Sequence, residues 1–282
     1  MAVNARGRAA AEISETVRAF DRLAPRYDAL WSGELVRAMR ARVHGALARA
    51  LAPGARVLEI GCGSGIDTAW LAARGGRVVA ADPSAGMLER ARARVDAGRT
   101  GCAVRFVCCG LDALDRHLGS CRFDAIVSNF GALNCVPRLD ALGRLAAARL
   151  EPGGRVFVCL MSRVCLWEIG WFLLKGDPRA AFRRLRPSPV GVDVEGIVVP
   201  TWYHRVGDVA RAVAPWLAVR AVTGCGVVLP PPYLEDGWRA VPVPIRRAAA
   251  AADAALARLA PFNRMGDHVL VELVARDGGG AR

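Results

Sequence analysis

Between residues 56 and 161, short apolar runs alternate with helical patterns, and this rhythm constrains the chain more than any other feature. Arg56–Ile60, Arg77–Ala81, Val104–Cys109, Phe123–Ser128 and Arg155–Met161 read as strands. Helical spacing fills Ile66–Arg74, Ser84–Ala97 and Leu139–Leu150 between them. Strands that are apolar throughout are covered on both faces, and helices in the gaps supply the cover. The expectation is an α/β doubly wound, Rossmann-like sheet. Residues 1–52 read as N-terminal helices, with a break at Pro25 in the helical stretch Ala9–Leu51. Residues 53–161 then form one half of the fold and 162–275 the other, with 276–282 a frayed tail. After Met161 come a short helix (Val206–Ala214), two more strands (Leu217–Val222 and His268–Ala275) and two late insertions, Ser162–Pro200 and Gly224–Phe262. The whole chain is predicted as a single domain of seven strands. The alanine-rich helix Arg246–Leu259, which carries Asp253, is expected to pack as an ordinary helix.

The first strand delivers a carboxylate, Glu59, into the turn Gly61-Cys62-Gly63-Ser64-Gly65, which opens a helix. Glycines there allow a tight turn and close approach of backbone to a ligand. A dinucleotide cradle needs Gly or Ala where Ile66 stands, and Glu59 would repel a diphosphate. A cationic or zwitterionic ligand suits the turn better. The second strand ends at Asp82, the position that holds a ribose hydroxyl pair in doubly wound folds.

These residues resemble a known family. Glu59-Ile60-Gly61-Cys62-Gly63-Ser64-Gly65, followed by Ala81-Asp82-Pro83-Ser84 and Met87-Leu88-Glu89-Arg90-Ala91, is similar to the class I S-adenosylmethionine-dependent methyltransferases. Ala19 to Asp28, Phe123 to Asn134 and Leu150 to Arg155 resemble the branch that includes ubiquinone and menaquinone C-methyltransferases. The resemblance covers about residues 17–160. It implies S-adenosyl-L-methionine as cofactor and an antiparallel last strand. It also implies that Gly61 and Gly63 meet the methionine part, with Glu59, Cys62 and Gly65 of the same segment among the cofactor-binding residues. Asp82 and Pro83 would lie at the ribose with Met87 packed nearby, and Leu111-Asp112 at the adenine. Tyr27 is a cofactor lid or a packing aromatic. Asn129 is a contact to the amino-acid portion or a strand-end turn residue.

The acceptor side is less defined. If the last strand is antiparallel, Asp267-His268 opens toward the carboxyl edge of the sheet, where ligands sit. Trp202-Tyr203-His204 and the loop Gly224–Tyr233 point there too. His204 and His268 are the candidate bases, able to take a proton from a hydroxyl during methyl transfer, while His44 and His117 are expected on surfaces elsewhere. Ser128-Asn129-Phe130-Gly131 lacks the Asn-Pro-Pro-aromatic pattern of base-amine enzymes, and paired acids for Mg²⁺ are missing there. Trp167, Trp171, Phe172, Trp202, Trp216, Tyr233 and Trp238 crowd the region past Met161, which suits a small, largely apolar acceptor of quinone, lipid or natural-product type.

Composition trims the alternatives. The formal net charge is +13 and every basic residue but Lys175 is arginine, as a GC-rich coding bias would produce. No nucleic-acid partner is expected. An RNA- or protein-directed methyltransferase using the basic surface, or a non-catalytic cofactor-binding protein, is the alternative. Nine cysteines without a C-x-x-C pair suggest neither zinc nor a disulfide framework, so a reducing compartment is expected. Met1–Ala11 is basic without the apolar core of a secretory signal, which predicts a cytoplasmic protein. The apolar stretch Val156–Leu174 carries Arg163 and Glu168 and reads as a strand followed by a helix rather than a span. That helix, followed by the basic run Lys175–Arg186, is either buried or lies on an anionic bilayer at the inner face of the membrane. Oligomeric state is not encoded legibly.

Overall fold

A computed structural model describes residues 14–98, 101–186 and 189–276. The expected helix start at residues 9–13 and the tail beyond Arg276 lie outside the described residues. In chain order the elements begin with α1 (residues 14–23), α2 (Tyr27–Leu30), α3 (Glu34–Ala50), β1 (Arg56–Ile60), α4 (Ile66–Ala73), β2 (Arg77–Asp82) and α5 (Ala85–Ala97). They continue with β3 (Val104–Cys108), α6 (Leu111–Leu114), β4 (Phe123–Ser128), α7 (Asp140–Arg149), β5 (Leu150–Met161), α8 (Leu166–Leu174) and α9 (Pro178–Ala181). The last third holds β6 (Val190–Val194), β7 (Ile197–Thr201), α10 (Val206–Val213), β8 (Leu217–Cys225), α11 (Glu235–Arg239), α12 (Val243–Leu256) and β9 (His268–Ala275).

Seven strands form one sheet in the order β3-β2-β1-β4-β5-β9-β8. The first five pair in parallel, and β9 runs antiparallel between β5 and β8, as expected. Strand order reverses between β1 and β4, which opens the ligand crevice of such sheets at their carboxyl ends. Alternation along the strands divides the core. Leu58, Val79 and Ile126 face the side covered by α6, α7 and α10, whereas Val57, Val78 and Val127 face α3, α4 and α5. Both faces are apolar because both are covered, which is why the strands read as unbroken apolar runs.

Helix α3 seats on the second face through Met39, Val43 and Leu47, one residue every helical turn. Arg40 and His44 share the next stripe and point along the sheet toward its carboxyl edge, where they meet Asp67. Asp253 of α12 is buried, pairs with Arg42 of α3 and accepts from the Val228 N–H at 2.8 Å. The alanine-rich helix is thus anchored by its acid rather than packed by its alanines alone.

The first late insertion is more regular than its sequence suggested. Residues 190–201 form a two-stranded hairpin, with Val192 opposite Val199 and the turn at Glu195-Gly196. Both turn residues have positive φ, 55° and 75°, the geometry that matches the twist of flanking strands. Trp216, expected on the acceptor side, precedes β8 at the opposite, amino edge and packs against Gly143 of α7. It does not line the acceptor region, because β8 runs parallel to β1 and its start lies away from the crevice.

Candidate active site

The glycine turn is shaped by three contacts. Gly63 has φ 52° and open space where a side chain would be, so its backbone can be approached closely from the crevice. Gly65 has φ 77°, and a Cβ there would stand 2.7 Å from the Cα of Ala91, so α4 could not start against α5. Asp82 at the end of β2 is buried and fixed by two backbone donors. The Gly63 N–H donates to its Oδ2 at 2.9 Å and the Ser84 N–H to its Oδ1 at 2.9 Å. Burial pushes its carboxyl up to about 6 against the pull of those two donors.

Two acids of the N-terminal motif clamp the helices over this turn, a role the sequence reading did not assign. Asp21 accepts from the Ser84 hydroxyl at 2.6 Å and the Gly86 N–H at 2.9 Å, at the start of α5. Asp28 accepts from the Ser64 hydroxyl at 2.6 Å and pairs with Arg90 and Arg94 of α5. Tyr27, between them, is partly buried, and its hydroxyl is pushed up to about 12 by burial and the acids Asp67, Asp82 and Asp28, against Arg40. Its ring lies 6.5 Å from that of Trp31, tilted by 48°.

Glu59 points to the α3–α4 face and accepts from the Thr68 hydroxyl at 2.6 Å. Asp67, on the first turn of α4, lies in the same buried field and escaped the sequence reading. It accepts from Arg40 at 2.6 Å, His44 at 2.7 Å and the Asn129 amide at 3.2 Å. The expectation that His44 lies on a remote surface is corrected. Its ring stacks on Trp70 at 4.0 Å and its Nε2 meets Asp67, because α3 packs on the sheet instead of beside it. The two carboxyls divide their roles. Burial, reinforced by Asp67, pushes Glu59 up to about 8, while Arg40 and His44 overcome burial and hold Asp67 at about 2.

This division predicts a pH-dependent affinity. Without ligand, Glu59 keeps its proton up to about pH 8. A cation beside it favours the carboxylate, so binding expels that proton, and affinity should rise with pH by up to about tenfold per unit below pH 8, then flatten. Calorimetry of S-adenosylhomocysteine binding from pH 6.5 upward checks it. In Glu59→Gln the slope should vanish, and an equal slope in that variant would contradict the assignment.

Beyond β4, Phe130 adopts φ 47°, a left-handed conformation rare outside glycine. Its ring carries the Arg40 guanidinium 4.4 Å above it and meets the His268 ring edge-on at 5.6 Å. His268 opens β9 opposite Met161, and its Nδ1 lies 3.0 Å from Asp267 Oδ2. Asp267 Oδ1 accepts from Arg184 at 2.8 Å, and Arg184 also binds Glu168 at 2.6 Å. Tyr233 donates its hydroxyl to Glu168 at 3.5 Å, and Tyr203 stacks under Arg184 at 5.3 Å. Tyr203, Tyr233 and Asp267-His268 thus converge from three segments on one buried ion cluster. Arg184 and Glu168 were not anticipated.

His204 has a different setting. Its Nε2 contacts the Val136 carbonyl at 2.9 Å, and burial lowers its pKa. Asn134, fully buried, knits the same loop by donating to the Trp202 carbonyl at 2.7 Å and accepting from the Met161 N–H at 2.9 Å. His204 therefore holds the loop after β4 in place, which leaves His268 as the candidate base with an orienting carboxylate. Among the remaining candidates, Cys62, Met87 and Leu111 are buried, Pro83 is half-buried and Asp112 is exposed at the rim on α6.

The donor set fits S-adenosylmethionine. Asn129 donates its amide to Asp67, which leaves its Oδ1 buried without a partner, an acceptor suited to an ammonium. Gly63 leaves room at the turn, and Asp82 supplies the carboxylate at the next strand end.

Comparison with known proteins points the same way. Residues 57–154 match the family described as Methyltransferase domain. The chain is 33% identical over 175 residues to the demethylmenaquinone methyltransferase of Mycobacterium sp. (strain KMS), covering 60% of this chain and 71% of that one. With the demethylmenaquinone methyltransferase of Clavibacter sepedonicus it shares 43% identity over 119 residues, 42% of this chain and less than half, 46%, of that relative. Its fold is similar to that of an S-adenosylmethionine-dependent methyltransferase from Clostridium acetobutylicum, with a TM-score of 0.55, 13% identity, and 90% and 98% of the two chains covered. It also resembles geranyl diphosphate C-methyltransferase from Streptomyces coelicolor A3(2), solved with S-adenosyl-L-homocysteine, with a TM-score of 0.51, 17% identity, and 83% and 78% covered.

Proposed function

The chain belongs to the class I S-adenosylmethionine-dependent methyltransferases, and within that family we propose that its acceptor is a small, largely apolar ring bearing an ionisable hydroxyl, of the demethylmenaquinol kind. The observation that carries this reading is the Asp267–His268 pair beside Phe130, at the sheet edge shared with the glycine turn. The names of the Mycobacterium and Clavibacter relatives support a quinone-like ring. S-adenosylmethionine, when bound, supplies an electrophilic methyl group on a sulfonium.

The chain's own residues align and desolvate. Asp82 would hold the ribose, with Asn129 Oδ1 and the Glu59 carboxylate facing the cationic end of the cofactor. His268, oriented by Asp267, would take the acceptor's hydroxyl proton, and the electron pair so released would drive attack on the methyl carbon from oxygen or ring carbon. The methyl–sulfur bond would break with its pair leaving on the thioether sulfur, and attack from carbon would be followed by loss of that carbon's own proton. Phe130, Tyr203 and Tyr233 would supply aromatic walls.

Two measurements separate cofactor from acceptor. Asp82→Ala should weaken S-adenosylhomocysteine binding by roughly 1.5–3 kcal/mol in calorimetry, as losing hydrogen bonds to a charged acceptor does. Unchanged affinity would count against the site. Methyl-labelled S-adenosylmethionine with a short-chain demethylmenaquinol under reducing conditions tests the acceptor. Transfer of label to the ring is expected, and none to this or any other apolar phenol would overturn the acceptor class.

A further inference from the structure

Helix α8 is built inside out. Its one charged residue, Glu168, is 1% exposed and faces inward to Arg184, Arg183 and Tyr233. Its outward face is apolar: Leu166, Trp167, Leu173 and Leu174 are exposed, Leu174 by 87%, with Gly170 among them. Residues 166, 170, 173 and 174 fall on one stripe at helical spacing, so this is a continuous face and not scattered exposure. Phe182 and Leu185, exposed in the segment that follows, extend it. Water is a poor neighbour for such a surface.

The flanking charges indicate what covers it. Lys175, Arg179 and Arg186 are exposed, and Lys175 stacks over Trp171 at 4.6 Å. The one acid between residues 175 and 186 is Asp177, and its carboxylate is occupied in accepting from the Ala180 N–H at 2.9 Å. A second copy of the chain would bring these cations against themselves in a two-fold contact. An apolar stripe rimmed by cations complements the acyl boundary and headgroups of an anionic bilayer. Among the described residues no helix is long and apolar enough to cross a membrane, so such contact would be made by lying on its surface.

We propose that the outward face of α8, with Phe182, Leu185 and the cations around them, docks this protein on an anionic lipid bilayer. The inner side of the same helix reaches the Arg184 cluster through Glu168, so docking sets the acceptor region beside the lipid. The proposal stands apart from the acceptor's identity, since it rests on the surface alone.

Flotation of the full chain with vesicles tests it. The chain should bind vesicles of phosphatidylglycerol and phosphatidylcholine, and bind pure phosphatidylcholine more weakly, with rising salt removing the difference. The double variant Leu173→Asp/Leu174→Asp should lower binding at least about tenfold, because acyl contact with two leucines is lost. Its circular dichroism and S-adenosylhomocysteine affinity should match the parent's, since both side chains point outward. Lys175→Ala/Arg179→Ala should remove only the salt-sensitive part. Failure to float with anionic vesicles would overturn the proposal. So would unchanged binding by the leucine variant, or a lipid-free dimer that the leucine changes dissociate, which would make a second copy the occupant.

Discussion

Replacing His268 with alanine is expected to lower kcat by about a hundredfold or more while leaving S-adenosylhomocysteine affinity intact. The reason is the arrangement around the ring. Burial alone would raise the Asp267 carboxyl, but His268 and Arg184 draw it well below the usual carboxylate range, so it is an anion at neutral pH. An anion 3.0 Å from Nδ1 favours the tautomer with its proton there, leaving Nε2 free to accept. Asp267→Asn should also lower kcat, since an amide no longer fixes that tautomer. His204→Ala should act differently, loosening the loop that His204 ties at the Val136 carbonyl and affecting stability alongside turnover. Steady-state kinetics on all three, with calorimetry beside them, separates these roles. A His268→Ala enzyme with parental kcat would show that the acceptor reacts without a base and that the pair is packing.

The sheet was legible because burial on both faces leaves one signature, unbroken apolar runs, that needs no knowledge of distant contacts. The glycine turn and Asp82 were legible for a related reason, since they lie at strand ends fixed by local sequence. What could not be read depends on pairs far apart in the chain. Asp67 looks like an ordinary acid on a helix's first turn, and its partners Arg40, His44 and Asn129 lie 27, 23 and 62 residues away. Nothing in the sequence of α3 announces that the polar stripe carrying His44 runs to Asp67. The hairpin at residues 190–201 did carry a signal. Alternating valines around Glu195-Gly196 are a hairpin pattern, masked by the prolines near it. Helix α8 inverts the usual rule, so a sequence pattern that assumes apolar means inward assigns its faces wrongly.

The largest effect on stability is expected from Arg184→Met, about 3–5 kcal/mol of lost unfolding free energy, the cost of leaving buried charges without their partner. Arg184 is 5% exposed and binds two acids, Glu168 at 1% and Asp267 at 3%. It also donates to the carbonyls of Asp267 at 3.0 Å and Ser162 at 3.3 Å, tying α8, the segment after it and the start of β9 together. Methionine fills the volume and answers none of these acceptors. For a chain of this size the loss corresponds to a fall in Tm of roughly 6–20 °C. The pH dependence identifies the cause. In the parent, Asp267 has a depressed pKa, so its contribution is present above the unfolded carboxylate value and is lost as pH falls through the folded one. Without Arg184 the burial of Asp267 is less compensated and its pKa climbs, which makes protonation favour the folded variant. The gap between parent and variant should therefore be widest near neutral pH and narrow on acidification toward about pH 4. Urea unfolding across that range measures it. A second variant, Arg184→Met with Glu168→Met, removes one stranded charge along with the cation and should recover part of the loss. A pH-independent gap that Glu168→Met fails to reduce would mean that Arg184 acts through its packing volume and not as the counter-ion of the two acids.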